Sequence, residues 1–349
     1  MERASATDPP AGRRSLPYQM IFHGKETHPM KRTHNPIPPF PAGAWFRGAV
    51  SGLILLVVTV LLAAGPATSG VNELSAYESR FADQDGNPVH YIDTGGGPEA
   101  VVFIHGSACN LGFWRHQIPA LAARYRVIAI DLPGHGQSGA PQVEYSMEYF
   151  AEGVAAVLTK AGVARAVLVG HSMGLPVART FIRLHPDKAA GLVSIDGVVE
   201  LVPDDPVERE KWEKASREFA AMFHQDDYEA VVTRYINSTH HAKTPQGVRD
   251  EVLAEMLKTP RHVTLSAMDE LIKPGNWTAD PIDLPALAIY ERSEALPGGF
   301  QDLLRLLFPR LEYHEIAEAG HFLMLEKTEP INNRLLEFLK NTVHLAEIP

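Results

Sequence analysis

Apolar and polar residues fall into blocks along most of this chain, and the period of each block predicts its element. Residues 77–97, YESRFADQDGNPVHYIDTGGG, place two strand-like stretches around Asp85-Gly86-Asn87, a hairpin signal. AVVFIH (100–105) and YRVIAIDLP (125–133) are continuous apolar runs, as strands buried on both faces require. Across 144–163 apolar residues recur at 147, 150, 154, 157, 158 and 161, a helical period. A strand at RAVLVG (165–170), a helix at PVARTFIRLHP (176–186) and a strand at GLVSID (191–196) follow. The chain closes with a strand at 284–290, a helix at 300–308, a strand at 311–316 and a helix at 331–343.

This alternation predicts an α/β fold with a mostly parallel, doubly wound sheet and helices on both faces. The alternation is interrupted after the sixth strand. Residues 206–223, 228–238 and 246–258 are charged amphipathic segments with no strand pattern between them. They predict a helical lid, so the expected organisation is a sheet domain formed by 75–197 and 281–349, with a helical cap at 198–280.

Residues 1–70 read differently. Residues 1–48 carry seven Lys or Arg against three acids, followed by an apolar core at Leu53–Ala64 and the small residues AGPATSG. Twelve apolar residues are short for a span of about 20 and suit a signal-peptide core. The expectation is an exported protein, periplasmic or secreted, or one anchored through residues 49–67 if the leader is uncleaved. Met30 opens a basic stretch of ordinary leader type, MKRTHNP, and is an alternative start.

The full chain has a net charge of −10 and no basic stripe, which argues against nucleic-acid binding. With one cysteine, Cys109, no intrachain disulfide can form. His240-His241 is read as solvated surface, and neither metal nor cofactor is expected.

The chemistry concentrates in VLVGHSMGLP (167–176). A buried strand meets two glycines with Ser172 between them, the G-x-S-x-G pattern of a strand-to-helix turn that projects a serine hydroxyl. HGSACN (105–110), DLPGHGQS (131–138), GLVSID and AGHFLMLEKTEP (319–330) lie at the ends of other predicted strands. Together these motifs resemble the α/β-hydrolase family over about residues 77–345.

The resemblance implies a serine hydrolase of carboxylic esters or related acyl substrates, working through an acyl-enzyme. Ser172 would be the nucleophile and His321 the base, with the Ser107 and Met173 amides as the oxyanion hole. The acid is Asp196, after the sixth strand, or Glu294, in the loop after the seventh, where Glu291 replaces the usual glycine. Leu175 stands where the family often has a further glycine. His105 and His171 are expected to support the loops. Phe113 and Trp114 are substrate-pocket candidates, joined by Trp212, Phe219, Met222, Phe223 and Tyr228 of the cap. The expected partner is a small apolar acyl molecule. A carbon–carbon hydrolase and a weakly catalytic binding protein of the same fold stay open as alternatives.

Overall fold

Eight strands build one sheet in the computed structural model, which describes residues 74–293, 296 and 299–348. The leader with its apolar segment, and Glu294, lie outside the described residues. The strands are β1 (Ser79–Gln84), β2 (Asn87–Asp93), β3 (Glu99–Ile104), β4 (Val127–Ile130), β5 (Arg165–His171), β6 (Ala189–Ile195), β7 (Ala286–Glu291) and β8 (Leu311–Ile316). Their spatial order is β1-β2-β4-β3-β5-β6-β7-β8. β2 runs antiparallel to β1 and to β4; the other pairs are parallel.

Local chemistry explains the elements. Asp85 and Gly86 have φ of 51° and 86°, the double positive φ that a two-residue hairpin turn matching strand twist demands. β4 and β6 are buried along their whole length, which accounts for their unbroken apolar runs. Helix α1 (Gln117–Ala122) follows β3. Helix α2 (Met147–Lys160) starts where the Ser146 hydroxyl accepts the Tyr149 N–H, and it packs on α3 (Gly174–Leu184).

Between β6 and β7 the chain forms α4 (Pro206–Phe223), α5 (Tyr228–Ser238), α6 (Gln246–Met256) and α7 (Arg261–Leu271). Asp205 caps α4 through the Val207 and Glu208 amides, with Pro206 where no amide partner is needed. α7 has no counterpart in the sequence-based expectation. Its buried side is Val263, Thr264, Ala267, Met268 and Leu271, a stripe diluted by threonine and alanine. α8 (Phe300–Leu307), α9 (Leu323–Glu326) and α10 (Thr328–Phe338) complete the fold, and a wider turn at Leu339–Val343 continues α10. Among the described residues no helix is long and apolar enough to cross a membrane.

The link from β6 to α4 contains a buried carboxyl. Glu200 accepts the Trp212 indole N–H at 2.6 Å, and its Oε1 has no hydrogen-bond partner among the described residues. Burial raises its pKa from 4.5 to about 7. The folded state therefore holds this proton more tightly than the unfolded state. Its stabilising effect is complete below about pH 4.5 and is lost as pH rises through about 7. Replacing Glu200 by Gln keeps an acceptor for Trp212 and removes the titration. The wild type should lose on the order of 2–3 kcal/mol relative to Glu200→Gln between about pH 5 and pH 8. Urea unfolding at the two pH values checks this, and a difference that does not change with pH refutes it.

Candidate active site

Ser172 sits at the junction of β5 and α3 with φ of 52°. A non-glycine residue held there stores about 1–3 kcal/mol of strain, so its neighbours must hold the bend rigidly. A Cβ on Gly170 would lie 2.5 Å from the Gly174 carbonyl oxygen, and one on Gly174 only 2.3 Å from the Ile104 carbonyl oxygen. Backbone meets backbone on both sides, so both positions require glycine.

Asp196 follows β6 in a second left-handed bend, φ 45°. Its Oδ2 lies 2.6 Å from His321 Nδ1, and its Oδ1 accepts the Glu291 N–H at 3.2 Å. The Asp196 side chain is 3% exposed and that of His321 14%. A carboxylate facing Nδ1 keeps the proton of a neutral imidazole there and leaves Nε2 as the acceptor. Asp196 is one of the two candidate acids; the other, Glu294, lies outside the described residues. Ser172 and His321 line the same two adjoining cavities.

The loop after β3 is shaped by neutral histidines. His105 accepts the Leu132 N–H at Nε2 and donates from Nδ1 to the Gly106 carbonyl; burial lowers its pKa. His135 accepts the Ala108 N–H and donates to the Pro133 carbonyl, with burial pushing its pKa down to about 3. Ser107 and Met173 both line the larger cavity, and neither amide donates to a carbonyl among the described residues. Gly106 permits the approach, since a Cβ there would fall 2.8 Å from Ser172 Cβ. His171 is buried, with a pKa pushed down to about 3 chiefly by burial, and its Nε2–H donates to the His321 carbonyl.

The walls come mostly from the cap. Phe219, Phe223 and Tyr228 line the larger cavity as expected, whereas Trp212 and Met222 do not. Tyr235, Met256 and Met268 also line it, and they lie in amphipathic or unassigned segments whose pattern does not mark them. Phe113 and Trp114 need correcting. They form a short turn packed inward: Trp114 lies 4.7 Å from the Phe103 ring and Phe113 5.8 Å from Phe322, and neither lines either cavity at Ser172. Cys109 does line the cavity, and burial pushes its thiol pKa up. His240 is not solvated surface: both ring nitrogens are buried, and the ring packs 5.7 Å from Phe322.

Leu175 explains its departure from the family pattern. A Cβ on Gly197 would lie 2.6 Å from Leu175 Cβ, so Leu175 fills the space beside the residue that follows Asp196. Gly197→Ala should cost about 1–3 kcal/mol by overpacking. Combined with Leu175→Gly it should cost less than the sum of the two single changes. A chemical-unfolding double-mutant cycle checks this; strict additivity would refute the contact.

Comparisons with known proteins agree with this architecture. The family described as alpha/beta hydrolase fold matches residues 99–328. The pimeloyl-acyl-carrier-protein methyl ester esterase of Aeromonas hydrophila is 31% identical over 242 residues, 65% of this chain and 89% of that protein. Epoxide hydrolase B of Mycobacterium tuberculosis is 48% identical over 98 residues, 27% of this chain and 28% of its own length. A solved structure described as Est816, an N-acyl homoserine lactone degrading enzyme, is 26% identical with a TM-score of 0.63, covering 74% of this chain and all of that one. With well over half its length matched and its sheet in the order described above, the chain belongs to the alpha/beta hydrolase fold family.

Proposed function

We propose that the protein is a serine hydrolase that cleaves carboxylic esters or related acyl substrates through an acyl-enzyme. The observation that carries this reading is the 2.6 Å contact of Asp196 with His321 Nδ1, beside a cavity shared by His321 and the strained Ser172. His321 Nε2 takes the Ser172 hydroxyl proton as Oγ attacks the acyl carbon. The Ser107 and Met173 amides receive the developing oxyanion. The tetrahedral intermediate collapses, and His321 returns the proton to the leaving group. A water molecule, deprotonated in turn by His321, then releases the acid and restores Ser172.

The nucleophile type separates this reading from epoxide opening. A serine attacking an epoxide carbon would form an ether, which water cannot cleave under these conditions. A carboxylate at that position would form an ester, which water can cleave. Serine therefore suits acyl chemistry. The apolar cavity under α4–α7 supports an apolar acyl group, with these helices serving as a lid.

A fluorophosphonate probe should label Ser172 and fail to label Ser172→Ala. Against p-nitrophenyl esters of graded acyl length, Ser172→Ala should abolish turnover, and Asp196→Asn should lower kcat by about 10⁴. Hydrolysis by Ser172→Ala at the wild-type rate would refute the proposal.

A further inference from the structure

We infer that the cap segment 239–244 positions the imidazole of His321, with Thr244 and Glu326 as the positioning residues; this rests on the reading of His321 as the base. β8 ends at Ile316 and α9 begins at Leu323, so His321 lies in a connecting loop outside both elements. Its backbone is held from two sides. Its N–H donates to the Thr239 carbonyl of the cap at 2.9 Å, and its carbonyl accepts from His171 beside Ser172 at 3.0 Å.

The cap contact continues along the loop. The Gly320 N–H donates to the Glu326 carboxylate, 3.2 Å from Oε1 and 3.1 Å from Oε2. The buried Thr244 hydroxyl donates to Glu326 Oε2 at 2.7 Å. Lys243 pairs with Glu318. A Cβ on Gly320 would sit 2.6 Å from the His241 nitrogen and 2.7 Å from the Thr239 oxygen, so cap and loop touch backbone to backbone. Arg249 braces the cap side, donating to the carbonyls of His241 and Thr244. His240 closes the seam against Phe322, and burial holds its pKa down to about 4, so it packs as a neutral ring.

The contacts make the cap part of the device that aims the base. Glu326 takes two hydrogen bonds, one from the residue before His321 and one from the cap. Loss of the cap bond leaves the loop N–H bound to a carboxylate that is itself less restrained. A small displacement of the imidazole is enough to spoil proton transfer, which needs heavy-atom reach of about 2.6–3.2 Å.

The test replaces the Thr244 hydroxyl by a methyl group of the same shape. Thr244→Val should lower kcat about tenfold on the ester that the wild type cleaves best, with KM within about twofold. Thr244→Ser should restore kcat. The low-field proton resonance of the Asp196–His321 hydrogen bond should broaden or shift in the Val variant and return in the Ser variant. Arg249→Met, which loosens the same turn without touching the loop, should move rate and resonance in the same direction and serves if Thr244→Val does not fold. Wild-type kcat with an unchanged resonance in Thr244→Val overturns the inference. So does a loss that Ser does not restore while the resonance stays in place. The resonance needs no turnover, so it decides the inference even if the Ser172→Ala control shows that the hydrolase reading fails.

Discussion

The proton between Asp196 and His321 joins two parts of the chain 125 residues apart, and the geometry of the whole site depends on it. An imidazole in a loop has two tautomers and many orientations. A buried carboxylate at Nδ1 selects one of each. β6 ends in a left-handed bend at Asp196, and β5, one strand away, ends in another at Ser172. Neighbouring parallel strands that end in matching bends bring both residues to one rim of the sheet, where ligands collect in open α/β folds.

The strain in those bends is offset by close packing that only glycine allows. Gly170 and Gly174 let α3 start against the ends of β3 and β5, while Gly106 lets the next loop come over the serine. Gly197 performs the same service for Asp196, but its crowding partner is the Leu175 side chain rather than backbone. The two bends are thus mechanically linked: the residue filling the space behind the elbow also presses on the loop that carries Asp196.

Elements with a strong local signal were legible in the sequence. α4 and α5 occupy the residues their periodicity marks, because each has a clear apolar stripe and α4 a proline after a capping aspartate. The hairpin was legible from Asp85-Gly86 for the same reason. What depended on long-range packing was not. Spacing could not place a carboxylate at His321 Nδ1, because that depends on the path of the loop after β6, where the Glu291 amide also donates to Asp196. Phe113 and Trp114 follow the loop that approaches Ser172, yet they turn into the core; aromaticity marks burial without saying against which neighbour. The lining by Tyr235, Met256 and Met268 was invisible because it depends on how four cap helices rest on the sheet, which no single helix period encodes.

Among the contacts that tie the helices between β6 and β7 to the sheet domain, two lie next to Asp196 and His321. The chain leaves β6 through Asp196 and reaches Glu200, anchored to Trp212 of α4, within four residues. The far end of α5 returns to the His321 loop through Thr239 and Thr244. A rigid displacement of these helices would therefore strain the chain beside Asp196 at one contact and the His321 loop at the other. The two residues meet across 2.6 Å, and hydrogen bonds weaken steeply with misalignment, so the contact is sensitive to movement of either loop. The helices that wall the cavity thus share hydrogen bonds with the loop that holds His321.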